Sequence, residues 1–168
     1  MFSKKLVITL SAAAVCFTIG SGTASAQPVT DSVTVTYEVT AITQLNLNGA
    51  ASLTIVAGTA GAGLPSVFDA TGVTYDITNN AGAASMKLVG KINTDMPAGT
   101  ALSVDVTAPL GAESEGLIAL TTADQDLVLA IGNVDEALVA MSFKLEATVA
   151  AGVIASASKT FTMTVIGS

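Results

Sequence analysis

The chain has 168 residues, six basic and thirteen acidic, with no histidine, no tryptophan, one cysteine and half of its residues apolar. Every basic residue is a lysine, so the commonest general base, the bidentate clamp for carboxylates and phosphates, and one aromatic platform for sugars are all missing. This argues against an enzyme, and the acidic balance argues against nucleic acid and against an anionic membrane surface as partners.

Lys4 and Lys5 precede an apolar run from Leu6 to Ile19, followed by small residues from Ser21 to Ala26. A basic start, an apolar run short of the ~20 residues of a membrane helix, and Ala24-Ser25-Ala26 as a cleavage signal are the parts of a secretory signal peptide. The expected mature chain begins at Gln27 and keeps 142 residues, the size of one domain, with four lysines against thirteen carboxylates for a net charge of −9. Cys16 lies within the leader and lacks the small residue that precedes a lipoprotein cysteine. A mature domain without cysteine has to be stabilised by packing, in a periplasmic or extracellular compartment that would have permitted disulfides. No cofactor is expected.

Asp31 to Ile42 alternates strictly, with Val33, Val35, Tyr37, Val39 and Ala41 on one face and Thr34, Thr36, Glu38 and Thr40 on the other. A period of two with branched residues predicts a strand half buried against a core. Leu45 to Asn48 and Leu53 to Val56 are shorter candidates flanking the turn signal Asn48-Gly49. From Ala57 to Gly72 glycines and Pro65 interrupt the pattern, which predicts a long loop. Val73 to Thr78 and Ser85 to Ile92 resume it as an expected hairpin, with Lys87 and Lys91 on the wet face and a bulge at Gly90.

Leu102, Val104 and Val106 carry the next strand, which must end before Pro109 because proline lacks the amide proton of a ladder. Leu117 to Leu120 and Leu127 to Ile131 are short apolar strands separated by acidic loops. The clearest pattern closes the chain: Val139, Met141, Phe143, Leu145 and Ala147 alternate with polar neighbours, and Phe161, Met163 and Val165 alternate with threonines. These two runs predict a terminal hairpin. Nine or ten short strands, regular turn signals and no helix outside the leader predict one all-β domain, an antiparallel immunoglobulin-like sandwich over residues 27–168.

Few residues suggest chemistry. Asp124 and Asp126, with Asp135 and Glu136 further on, could offer oxygens to calcium, but the spacing matches no EF-hand loop, and solvated charges are the simpler reading. Glu113 and Glu115 stand two apart on one short loop, where an acid and base pair for glycoside chemistry would be poorly placed. No histidine is present to activate a serine or threonine. Tyr37 and Tyr75 both fall on the apolar face of their strands, so core packing is expected of each.

Two stretches, Asp31 to Ile42 and the closing Phe161-Thr-Met-Thr-Val-Ile-Gly-Ser168, resemble the ends of the major subunits of cysteine-free chaperone-usher fimbriae, and spore-coat-U-like secreted domains share the outline. The resemblance covers about a fifth of the chain and implies a sandwich lacking one strand, completed by the N-terminal segment of the next subunit. It implies that Val33, Val35, Tyr37 and Val39 are the inserted side chains and that Phe161, Met163 and Val165 line the receiving edge. The implied partners are further copies of the chain and a periplasmic chaperone. Against this, no flexible linker separates residues 31–42 from the rest, and nine or ten strands could complete the sandwich alone, with residues 31–42 paired inside it.

The resulting expectation is a secreted, non-catalytic structural or adhesive protein of the bacterial surface or periplasm, with a fimbria-like (pilus) subunit as the form the resemblance implies. The alternative is a monomeric ligand-binding β-sandwich module whose site lies among loops 57–72, 111–116 and 121–126.

Overall fold

The computed structural model describes residues 29–82 and 86–167. The expected signal peptide, its cleavage site and Cys16 lie outside the described residues. The chain divides into two units, Met1–Tyr37 and Glu38–Ser168. In the first, the described residues 29–37 have no regular structure.

The second unit is an all-β sandwich of two antiparallel sheets. Its strands are β1 (Thr43–Asn48), β2 (Val67–Asp69), β3 (Thr74–Asn79), β4 (Met86–Ile92), β5 (Thr100–Val106), β6 (Glu113–Ser114), β7 (Leu117–Ala119), β8 (Gln125–Ile131), β9 (Val134–Ala147) and β10 (Phe161–Gly167). One sheet has the order β1-β3-β9-β5-β7, with β2 also on β9; the other has the order β10-β4-β8-β6. A single 3-10 turn, Val149–Ala151, is the one helical element among the described residues.

From β4 onward each strand lies in the sheet opposite its predecessor. This overturns both expected hairpins. The run from Val139 pairs with β3, β2 and β5, while β10 pairs with β4 across all seven of its residues. Likewise β3 and β4 occupy different sheets. An alternating run is equally satisfied by any partner that lets it bury the same face, so periodicity identifies a strand without choosing its neighbour.

Two boundaries also differ. Asp31 to Ile42 forms no strand, and β1 begins only at Thr43. Val67–Asp69, inside the stretch expected to be a loop, is a short strand because β9, 14 residues long, offers it the ladder groups of Phe143–Leu145.

The faces follow the alternation. Tyr75, Ile77, Leu88, Ile92, Val104, Val106, Leu127, Val128 and Ile131 are all nearly or fully buried between the sheets. Tyr75 is a core residue as expected, and its hydroxyl donates to the Thr107 carbonyl at 2.6 Å. Burial, and secondarily the negative charge of Glu136, push its ionisation far up. Phe143 and Phe161 meet edge to face, ring centres 5.3 Å apart, across the sandwich. Gly90 stands under that contact, where a side chain would run into Leu127 and the Phe161 ring. The register irregularity of β4 lies at Met86 to Val89, just before the expected position at Gly90.

A bulge bends β9 where Ala137 and Leu138 stand opposite the single residue Asp76. Leu138 there takes a φ of 56°, unusual for a residue with a Cβ. Asp76 secures it, accepting from the Leu138 amide at 2.8 Å and from the side-chain amides of Asn46 and Asn48. The Asn48 amide first, then that of Leu138, hold the Asp76 carboxyl below its ordinary value of 3.8; Asp69 is lowered in the same way by the amides of Ser52 and Thr71. A depressed folded value means that the stabilisation is present above the unfolded value and lost as pH falls through the folded one. The expected result is a urea midpoint that falls as pH drops below 3.8. Asp76→Asn should have a lower midpoint at neutral pH and a flatter fall, measured by a urea series from neutral to about pH 2. An unchanged slope in the variant would remove Asp76 from the acid response.

Candidate functional site

The described lysines all have partners. Lys87 pairs with Asp126 at 2.8 Å and Lys91 with Asp124 at 3.0 Å, joining the wet face of β4 to β8 and to the loop before it. Lys144 pairs with Glu146 at 2.7 Å and lies 5.3 Å from the ring centre of the exposed Phe68. Lys159 donates to Thr94 Oγ1 and to the Asp95 carbonyl, each at 2.7 Å. The acidic residues considered for calcium are separated in their contacts: Asp124 and Asp126 face lysines, Asp135 accepts from the Thr78 hydroxyl at 3.4 Å, and Glu136 accepts from the Leu110 amide. Glu113 and Glu115 are exposed. No group of three or more metal-ligating side chains occurs among the described residues.

Shallow hollows border the glycine-rich loop. The larger, about 530 Å³, lies among Leu64, Ser66, Thr100, Glu146 and Thr148, and its one charged side chain is already held by Lys144. It presents no aromatic surface and no convergent set of polar groups. No helix among the described residues is long and apolar enough to cross a membrane.

The feature that stands out is an open edge. β10 ends its sheet, pairs only with β4 among the described residues, and has seven residues without proline, charge or bulge. Natural edges are usually shielded by such devices, because unpaired amide and carbonyl groups are a template for another strand. Along β10 the expected inward residues do point to the core: Met163 is buried, and Phe161 and Val165 are half buried against it. Thr162 and Thr164 face water. On the other sheet β1 is likewise the terminal strand, and β1 and β10 approach each other at this side of the sandwich.

Beyond β1, Leu53 to Val56 keeps a strand's pattern of burial, with Leu53 and Ile55 half buried and Thr54 and Val56 exposed. It joins no ladder, although Leu53 packs on the core. The expected strand over Leu53 to Val56 is therefore not formed, because among the described residues no ladder takes up its main chain.

The four residues expected to be inserted side chains are in no core. Val33, Val35, Tyr37 and Val39 are 83%, 75%, 88% and 79% exposed, so the expectation that Tyr37 packs inside its own domain is overturned. The physical reason is that, among the described residues, none of residues 31–39 joins a ladder, and without a sheet beside it alternation has nothing to bury against. Five apolar side chains of a short segment, counting Val29, are left exposed. No protein-family model, no curated protein and no solved structure matches the chain.

Proposed function

We propose that the protein is a secreted, non-catalytic structural or adhesive subunit of the bacterial surface that assembles by β-strand addition, in the manner of a fimbria. The observation that carries this reading is the pairing of two deficits in one chain. Among the described residues, an alternating segment, residues 31–39, has no sheet, and an unshielded sheet edge, β10, has no second strand. Either deficit is cured by the other, taken from a second copy.

The chemistry of strand addition fits both sides. The incoming backbone would satisfy the free amide and carbonyl groups of β10, and Val33, Val35, Tyr37 and Val39 would cover the inward row of Phe161, Met163 and Val165. Full burial of four such side chains is worth about 1.5 to 3 kcal/mol each before the entropy of ordering the segment is subtracted. That gross gain favours a junction that dissociates slowly. Before assembly, a periplasmic chaperone strand would serve the same edge. The acidic surface, with each described lysine engaged, fits a partner found through apolar side chains and main-chain hydrogen bonds, without charge steering.

The test is the native size of exported protein, run on a gel with and without boiling, for the full chain and for a chain lacking residues 27–39. The expected result is a ladder of multiples that collapses only on heating and is absent from the deletion. A single monomer band in both lanes for the full chain would overturn the proposal and return attention to the loops of a monomeric binding module.

A further inference from the structure

The proposal of strand addition raises a competing outcome, in which the segment closes its own edge. Fold-back would place residues 31–39 along the free side of β1 and antiparallel to it, so the chain would have to reverse over Thr40, Ala41 and Ile42. Three residues are ample for that, since hairpin loops of roughly two to five residues are the commonest. An intramolecular strand also has an effective concentration in the range of about a millimolar, far above that of a second copy. Something must oppose the reversal.

Asn80 sits where it could. The last β1–β3 pair is Thr43 with Asn79, so Ile42 and Asn80 would form the next rung. They do, in modified form: the Asn80 amide donates to the Ile42 carbonyl at 3.0 Å, and the Ile42 amide donates to Asn80 Oδ1 at 2.5 Å. The carboxamide oxygen thus replaces the main-chain carbonyl of a regular rung. The other end of the same carboxamide, Nδ2, donates to the Thr40 carbonyl at 3.1 Å, two residues further along. Asn79 fixes the base of this arrangement. It is buried, donates to the Gly132 carbonyl at 2.8 Å and accepts from the Thr43 hydroxyl at 2.8 Å.

We infer that Asn80 is a clamp that keeps the chain at Thr40–Ile42 in line with β1 and so blocks self-complementation, reserving the preceding segment for another copy. This inference rests on the strand-addition reading. A turn over these three residues would have to release the carboxamide from both Thr40 and Ile42, because one side chain holds both groups. Asn80 is a positioning residue: it need not touch the neighbouring subunit.

The experiment compares full-length exported protein with Asn80→Ala, by the unboiled gel ladder and by proteolysis of the monomer fraction. Losing two hydrogen bonds of ordinary strength should raise the monomer-to-multimer ratio about tenfold. The monomer that accumulates should keep residues 29–41 protected from protease, where the wild-type monomer loses them. Asn80→Ala that forms the wild-type ladder, or whose monomer is still trimmed, overturns the clamp while leaving strand addition standing. A wild-type chain that forms no ladder overturns strand addition and the clamp with it. If Asn80→Ala is not recovered folded, Asn80→Asp makes the same comparison, since it keeps the acceptor for Ile42 and turns the donor to Thr40 into a repelling oxygen.

Discussion

Phe143→Ala is expected to destabilise the sandwich by about 3 to 5 kcal/mol, the usual range for removing a buried aromatic ring. Its strand, β9, has β3 and β2 along one side and β5 along the other, and Phe143 itself stands in register with Asp69 and Val104. Its ring is the one that meets Phe161 of β10 edge to face. The substitution therefore opens a cavity and also removes an aromatic contact between the sheets, itself worth roughly 0.5 to 1.5 kcal/mol. Against a typical total of about 5 to 15 kcal/mol, that is a large fraction of the stability. Chemical denaturation followed by tyrosine fluorescence and circular dichroism measures it. Phe68→Ala is the contrast: the side chain is 58% exposed on β2, and its loss should change stability by less than about 1 kcal/mol. Equal effects for the two would contradict the assignment of the core. Because Phe161 belongs to the open edge, Phe143→Ala should also weaken assembly, seen as a ladder that collapses at a lower temperature.

Gly49→Ala is expected to cost about 3 to 5 kcal/mol, for a different reason. Gly49 follows β1 with φ of 83°, and a Cβ there would stand 1.8 Å from the Gly72 carbonyl oxygen, which precedes β3. Both parties are main chain, so no side-chain rotation relieves the overlap; the turn after β1 and the start of β3 must separate. The positive φ alone costs of order 1 kcal/mol or more for a residue with a side chain. Gly61→Ala isolates that contribution, because Gly61 has φ of 81° with nothing within 4 Å of the added carbon. The difference between the two alanine variants in a urea titration is the steric part. Equal losses at both positions would show that the contact between Gly49 and Gly72 yields freely.

How much of this was legible in the residues can be judged from particular strands. The inward faces of β3, β4, β5, the second half of β9 and β10 were readable, because a strand buried on one face must alternate, whereas β8, with Leu127 and Val128 both buried, was legible only as an apolar run. Pro109 ended β5 as expected, with the strand closing at Val106. The wet-face lysines of β4 found acidic partners on β8 and on the loop before it, which alternation placed on the same surface but could not pair. The open edge was visible only in part: the residues of β10 were identified, but a strand's lack of a neighbour leaves no mark in its own pattern. Asn80 carried no signal at all beyond its place in a polar turn, since its role depends on Thr40 lying beside it.

Taken alone, the sequence determined the class of the fold, the approximate limits of most strands, and the inward side of those that alternate. These follow from local alternation, turn residues and the missing amide of proline. The partners were decided only by the tertiary structure. Consecutive strands from β3 onward were distributed between opposite sheets, the expected terminal hairpin became a contact across the core, and residues 31–39 were left without a sheet among the described residues. Pairing is settled by which arrangement buries all inward faces at once with every ladder group satisfied. That is a property of the whole set of strands, and no single run of residues contains it.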